Sequence, residues 1–306
     1  MTNIDLNTEL SSNPSSNLAF KEVKVANDSS SAQFSSAVNG FEVKSQTLTP
    51  DTFSNLESSI ESLSIVQKLV RNHTIYSDTF EVVRENLLNN PQWGSAPNVN
   101  PAERQLIKTN ELVVQPKATN KFLQDLGKEA DSIMFNQICE AFARAQNKAY
   151  LLGDGNDSPR GMLTYSASDV EQITGSSLNA QVIQDLILNL DPVYLEGACF
   201  LVNPHVEQMI KSIVDPSGMH IYQASVSGGV ATVYGIPLYA TNDLPFTGNI
   251  KMILSNFKHS YISIQNSNVI LTTDSLTEKP FVKYYAIKRV GGDVFNKDAI
   301  KLLKIA

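Results

Sequence analysis

The chain has 306 residues, 42% of them hydrophobic, with a formal net charge of -7, two cysteines and four histidines. That is enough apolar sequence for one large or two modest cores, and the acidic balance argues against a general nucleic-acid binder, whose affinity for phosphate comes from clustered Lys and Arg. No apolar run approaches the roughly 20 residues a membrane-spanning helix needs, and the N-terminus lacks a basic-then-apolar leader, so the expected setting is cytoplasmic. Cys139 and Cys199 lie in apolar stretches without Cys or His at metal-ligand spacing, and buried thiols are expected in place of a disulfide framework.

Residues 1–50 are rich in Ser and Asn with scattered apolar positions, a composition that buries too little surface to offset its ordering entropy and predicts a flexible arm. From Asp51, the spacing of Phe53, Leu56, Ile60 and Leu63, with acidic residues early, predicts a helix, and Thr74-Ile75-Tyr76 reads as a strand. Residues 77–111 carry short alternating pieces, Phe80–Val83 and Leu106–Lys108, on either side of Asn-, Pro- and Gly-rich turns, which predicts a long two-stranded projection. Such a ribbon has too little core to stand alone in water, so its apolar groups need another surface. Trp93 on that projection is read as an interface anchor, and Trp93→Ala is expected to lower assembly while leaving the monomer folded.

Leu112–Val114 reads as a short strand. Met134, Ile138, Phe142, Ala145, Ala149 and Leu152 then recur at steps of four and three, predicting one apolar stripe on a helix of more than five turns that Gly153 ends. Downstream, Val182, Leu186, Ile187 and Leu190 predict an amphipathic helix. Ala198–Val202 reads as a buried strand, Asn203-Pro204 opens a helix through Val206, Met209, Ile210 and Ile213, and Gly235-Ile236-Pro237 is a turn into a further strand. Lys251–Leu254, Phe281–Tyr285 and the stretch from Ala299 to Ile305 read as strands.

Gly153-x-Gly155 has the spacing of a phosphate loop, but these glycines follow a helix, at its negative end, and the spacing to Gly161 misses the dinucleotide fingerprint. A helix cap and tight turn, with Pro159 stiffening the exit, is the better reading. The pair His205 and Glu207 on one helix points about 200° apart and does not converge on a metal. No nucleophile elbow, zinc-protease motif or Walker run is present, so no catalytic, cofactor or metal site is expected.

The run Gly153-Asp154-Gly155-Asn156-Asp157-Ser158-Pro159-Arg160-Gly161, together with Lys279–Val282, Lys288-Arg289-Val290-Gly291-Gly292 and Asp298–Lys304, resembles the major capsid proteins of tailed phages with the Hong Kong 97 fold. The resemblance is strongest to the capsid proteins of gene transfer agents and related alphaproteobacterial prophages. It implies an α+β fold with a flexible N-terminal arm at 1–50, a peripheral (P) domain at 51–76 and 112–177 with a long spine helix, and an E-loop at 77–111. An axial (A) domain at 178–253, a return to the P domain at 254–291 and a final A-domain strand at 292–306 complete it. Trp93, Lys108, Gly153, Gly155, Pro159, Gly161, Gly235, Pro237, Gly291 and Gly292 are the positions through which the resemblance implies assembly or structural roles.

The implied protein is a shell tile and not a catalyst: a virion protein, assembled in the bacterial cytoplasm, that forms pentamers and hexamers and encloses double-stranded DNA without sequence-specific binding. Scaffolding and portal proteins are implied partners, and no membrane is. Many members carry a long N-terminal scaffold-like region. The short stretch here implies scaffolding by a separate protein or by this arm. A few members join Lys to Asn between subunits; Lys108 lies in the E-loop, but no pattern identifies an Asn partner and no cross-link is expected. The alternatives are an encapsulin-like nanocompartment shell and a soluble α+β enzyme of another fold.

Overall fold

The computed structural model describes residues 45–47, 50–84, 103–224, 229–267, 269–275 and 277–305, so Trp93 and residues 1–44 of the arm expected at 1–50 lie outside the described residues, while residues 45–47 of that arm form a strand paired with residues 270–272. A short strand, β1 (Ser45–Thr47), precedes α1 (Pro50–Leu63) and α2 (Ile65–Leu69). Ser64 separates the two helices because its extended backbone breaks the first while its hydroxyl accepts the Gln67 amide and caps the second. β2 (Arg71–Ile75) leads into an antiparallel ribbon of β3 (Thr79–Arg84) and β4 (Glu103–Lys108). β5 (Asn110–Val114) and β6 (Lys117–Thr119) follow, then α3 (Asn120–Leu126), capped by the Thr119 hydroxyl, and α4 (Lys128–Leu152), 25 residues long.

Met134, Ile138 and Phe142 of α4 are buried as their spacing predicts, but the buried stripe then runs through Gln146, Asn147, Tyr150 and Leu151, and Leu152 is part exposed. Two polar residues occupy the inward face where apolar ones were sought, which moved the predicted stripe onto Ala145 and Ala149.

The second half begins with β7 (Gln172–Gly175), α5 (Ala180–Leu188), α6 (Pro192–Leu195) and β8 (Cys199–Val202). α7 (Pro204–Lys211), β9 (Tyr222–Gln223), β10 (Thr232–Val233), β11 (Ile236–Ala240) and β12 (Ile250–Ser255) follow. The Asn179, Asp191 and Asn203 side chains each accept a first-turn amide and so start α5, α6 and α7. Pro192 and Pro204 sit in the first turn, where a missing N–H costs nothing. On α5 the buried residues are Ala180, Ile183 and Leu186, and Met209 of α7 is exposed. The chain ends with α8 (Phe257–Ser260), β13 (Tyr261–Asn266), β14 (Ile270–Asp274), β15 (Phe281–Val294) and β16 (Ile300–Ile305).

The strands form two seven-stranded sheets and the separate ribbon. The first sheet is organised on the 14-residue β15, which pairs in turn with β6, β14, β5 and β13, all antiparallel, while β2 joins β13 in parallel. The second runs β7-β16-β12-β8-β11-β10-β9. β7, at 172–175, therefore lies in the second sheet although the domain boundary was expected at 178. After β15 the chain leaves the first sheet, and β16 enters the second between β7 and β12.

Alternation along β8 shows how the second sheet is covered. Cys199 and Leu201 face a cluster with Val66, Val70, Tyr150 and Leu151, whereas Phe200 and Val202 face one with Ile183, Leu186, Val206 and Ile210. Burial pushes the Cys139 thiol up to about 11 and the Cys199 thiol up to about 12, so both stay protonated at neutral pH.

Candidate functional site

The glycine-rich run after α4 folds into a closed loop. Gly153 caps α4 by donating to the Ala149 carbonyl (2.8 Å), and Gly161 donates back to the Gly153 carbonyl (2.9 Å). Within the loop the Asp154 carboxylate accepts from the amides of Asn156 (3.3 Å) and Ser158 (3.1 Å) and from the Ser158 hydroxyl (2.7 Å). The Ser158 hydroxyl, with those amides, holds the Asp154 carboxyl below its usual range. Gly155 has φ +82, a left-handed conformation that L side chains rarely adopt. A Cβ on Gly153 would strike the carbonyl of Pro159, and one on Gly161 would come within 2.6 Å of the Leu151 carbonyl. Gly153 and Gly161 are therefore required by close backbone approach, not by φ.

This loop is bound to the first sheet at the double glycine. The Arg160 amide donates to the Gly292 carbonyl (3.0 Å), and the Tyr261 hydroxyl, entering where Gly292 has no side chain, donates to the Arg160 carbonyl (2.9 Å). Next door, a Cβ on Gly291 would run into the Lys108 backbone carbonyl at the end of β4. The two glycines thus let three chain segments cross: the loop after α4, the first residue of β13 and the base of the β3–β4 ribbon.

Further contacts clamp the ribbon. Gln105 donates to one oxygen of Asp293 (2.6 Å), and the Tyr165 hydroxyl donates to the other. Burial and the neighbouring Asp293 charge both raise the Tyr165 pKa, so its hydroxyl remains a donor. The Arg160 guanidinium lies 3.9 Å from the Tyr165 ring centroid. Asn110 donates to the Asn156 carbonyl (2.5 Å), tying the chain just after the ribbon to the loop. Arg289 pairs with both Asp78 (2.9 Å) and Glu111 (2.8 Å), one acid from each side of the ribbon's base.

The inner face of the ribbon, Phe80, Val82 and Ile107, packs on Ile75, Ile262 and Ile264. Its outer face is different: Leu106 is 59% exposed and Val83 42%, with Glu81 and Arg104 paired beside them (3.4 Å). Register places Leu106 opposite Glu81 and Val83 opposite Arg104, so the two apolar side chains are diagonal neighbours on one surface.

Gly153, Gly155, Pro159, Gly161, Gly291, Gly292 and the Lys108 backbone, which the sequence reading selected from distant places, meet at this junction. Gly235 and Pro237 do not. Gly235, with Tyr234, makes the two-residue turn between β10 and β11, both at positive φ, and with Pro237, Leu69, Leu195 and Cys199 it lines a shallow apolar pocket of ≈ 290 Å³. Gln105, Tyr165, Asp293 and the Asp78–Arg289–Glu111 triad were not anticipated. Only Arg289, beside the double glycine, stood within a motif the sequence offered. Among the described residues no group of His, Cys, Asp and Glu could hold a metal ion, and no helix is long and apolar enough to cross a membrane.

The arrangement is mechanical: a rigid base presents a two-stranded ribbon whose outer surface is partly apolar. Two sheets, with the chain passing from β15 of the first to β16 of the second, the long α4 and the clamped ribbon make up the fold. The model of the Phage capsid family matches residues 45–305, and the chain belongs to that family. It is a major capsid protein, which associates with copies of itself into an icosahedral shell.

Solved structures agree in fold. The chain superposes on the capsid of an empty gene transfer agent (GTA) particle with a TM-score of 0.70 at 24% identity, covering 80% of this chain and 90% of that one. For the capsid of the native GTA particle the TM-score is 0.67 at 24% identity, with 92% and 99% covered. An encapsulin complex from Synechococcus elongatus PCC 7942 shares the fold at 12% identity and a TM-score of 0.55, over 80% of this chain and 88% of that one. No curated protein matches the chain.

Proposed function

We propose that this protein tiles the head of a tailed phage, prophage or gene transfer agent as pentamers and hexamers around double-stranded DNA. In this reading the first sheet with α4 is the peripheral domain, the second sheet the axial domain whose copies meet at ring centres, and the β3–β4 ribbon the E-loop. The observation that carries it is the clamped ribbon with Leu106 and Val83 exposed on one face. A ribbon so held cannot fold back to bury that face, and a neighbouring subunit supplies the missing surface. The protein performs no catalysis; each subunit is held by contacts that no monomer satisfies, and obligate interfaces of this sort bury more than about 2,000 Å². Assembly takes place in the host cytoplasm with scaffolding and portal proteins as partners, and the acidic chain encloses DNA without gripping it.

The test is electron microscopy of the purified protein, expressed alone and with its neighbouring genes. Closed angular shells or capsomer rings containing DNA are expected. Shells filled with an enzyme would assign the protein to a nanocompartment instead, and a homogeneous monomer or dimer under both conditions would overturn the proposal.

A further inference from the structure

A buried polar layer divides the interior beneath α4. Leu56 and Ile60 of α1 belong to a cluster with Met134, Ile138, Phe142 and Ala143 of α4, whereas Val66 and Val70 join Tyr150 and Leu151 in another. On α4 the division falls at Gln146 and Asn147. On β15 it falls at Lys288, between Ala286 of the first cluster and Val290 of the second. Ser64, between α1 and α2, donates its hydroxyl to Asn147 across the same level.

Lys288 is the centre of this layer. It is 0% exposed, and its Nζ lies 2.5 Å from the Glu57 carboxylate of α1. Gln265 of β13 lies beside them, and with its amide turned to satisfy both ends it donates to Glu57 and accepts from Gln67 Nε2 (2.6 Å). The layer is not fully matched: the Gln146 amide and Gln67 Oε1 are buried without a hydrogen-bond partner among the described residues. Desolvation pulls the Lys288 pKa down, with the Glu57 charge opposing it.

We propose that this layer is an opening joint, from which α1 separates as a unit while α4 and the first sheet stay folded. An apolar joint resists opening in proportion to the area it uncovers. A largely buried ion pair resists less, because Lys288 lost all and Glu57, 16% exposed, most of its hydration when the joint closed, and both regain it when the joint opens. The unmatched Gln146 amide and Gln67 Oε1 act in the same direction, since opening admits water to them. α1 is the element bearing one partner of the pair, and Lys288 sits on the central strand, so the joint falls between helix and sheet. This inference concerns the single subunit and stands independently of the shell reading.

Hydrogen exchange of the full-length, unassembled subunit, read segment by segment by mass spectrometry, tests it. The double variant Glu57→Leu with Lys288→Met is expected to slow exchange in α1 by roughly tenfold while β13 and β15 are unchanged. Exchange in α1 that stays the same in the folded double variant, or slows equally in all three elements, would overturn the proposal. If the double variant fails to fold, Glu57→Gln decides. It is expected to speed α1 exchange by roughly tenfold with β13 and β15 still protected, and loss of protection throughout would show that the pair stabilises the whole subunit and is not a joint.

Discussion

At Gly291 and Gly292 the absence of two side chains lets three segments share one small volume. Alanine at Gly291 meets the Lys108 carbonyl, which is backbone, so the clash is not relieved by a rotamer change. We expect Gly291→Ala to destabilise the subunit by about 1–3 kcal/mol in urea unfolding. Gly235→Ala, where only the positive φ is at stake and open space surrounds the position, should cost about 1 kcal/mol and leave the ribbon unaffected. Asp293 accepts from Gln105, Tyr165 and the Val294 amide, so Asp293→Ala removes the acceptor of all three, leaving Gln105 only the Val294 carbonyl at 3.4 Å. A loss of about 1–3 kcal/mol is expected, with faster hydrogen exchange in β4. Near-wild-type stability and exchange would show that the clamp does not depend on this carboxylate.

Among the elements, the ribbon separates folding from assembly. Val83 and Leu106 lie on its outer face, away from the contacts with Ile75, Ile262 and Ile264. The pair Val83→Glu and Leu106→Glu should therefore change subunit stability by no more than about 0.5 kcal/mol. Shell yield, measured by sedimentation, should fall sharply; an undiminished yield would remove this face from the interface. The ribbon was legible because Phe80–Val83 and Leu106–Lys108 alternate around a turn-rich stretch, and α4 because Met134, Ile138 and Phe142 recur at helical spacing. The polar layer was not legible. Gln146, Asn147 and Lys288 look like surface residues in one dimension, and only the packing of α1 and α4 on β15 puts them inside. The junction was half legible: its glycines stood out, whereas Gln105, Tyr165 and Asp293 meet through contacts spanning more than a hundred residues.

For the molecule as a whole, several exposed carboxylates respond to acid. Lys117 and Lys283 hold Glu278 down to about 2, from an ordinary value near 4.5. Hydrogen bonds from Ser158 lower Asp154, and Lys297 and Ser166 lower Asp169. A carboxylate depressed in the folded state contributes stability that is complete above its unfolded pKa and is lost as pH falls through the folded one. The unfolding midpoint should thus be level from neutral pH to about 4.5 and decline below it. Because these groups are exposed, 0.5 M salt should flatten the decline; a decline beginning well above pH 5 would point to other groups.

By itself the sequence determined the main helices and strands, the length of the spine-like α4, the two-stranded projection and the glycine-rich turn that ends α4. These follow from local periodicity and from backbone demands that a single stretch of chain expresses. The tertiary structure alone decided which strands share a sheet, that β15 organises the first while β16 crosses into the second, and that Gly153, Gly161, Gly291 and Gly292 serve one junction. It also buried Lys288 against Glu57. Strand partners and ion-pair partners are set by packing between segments far apart in the chain, and the periodicity of one segment holds no information about the segment that will lie against it.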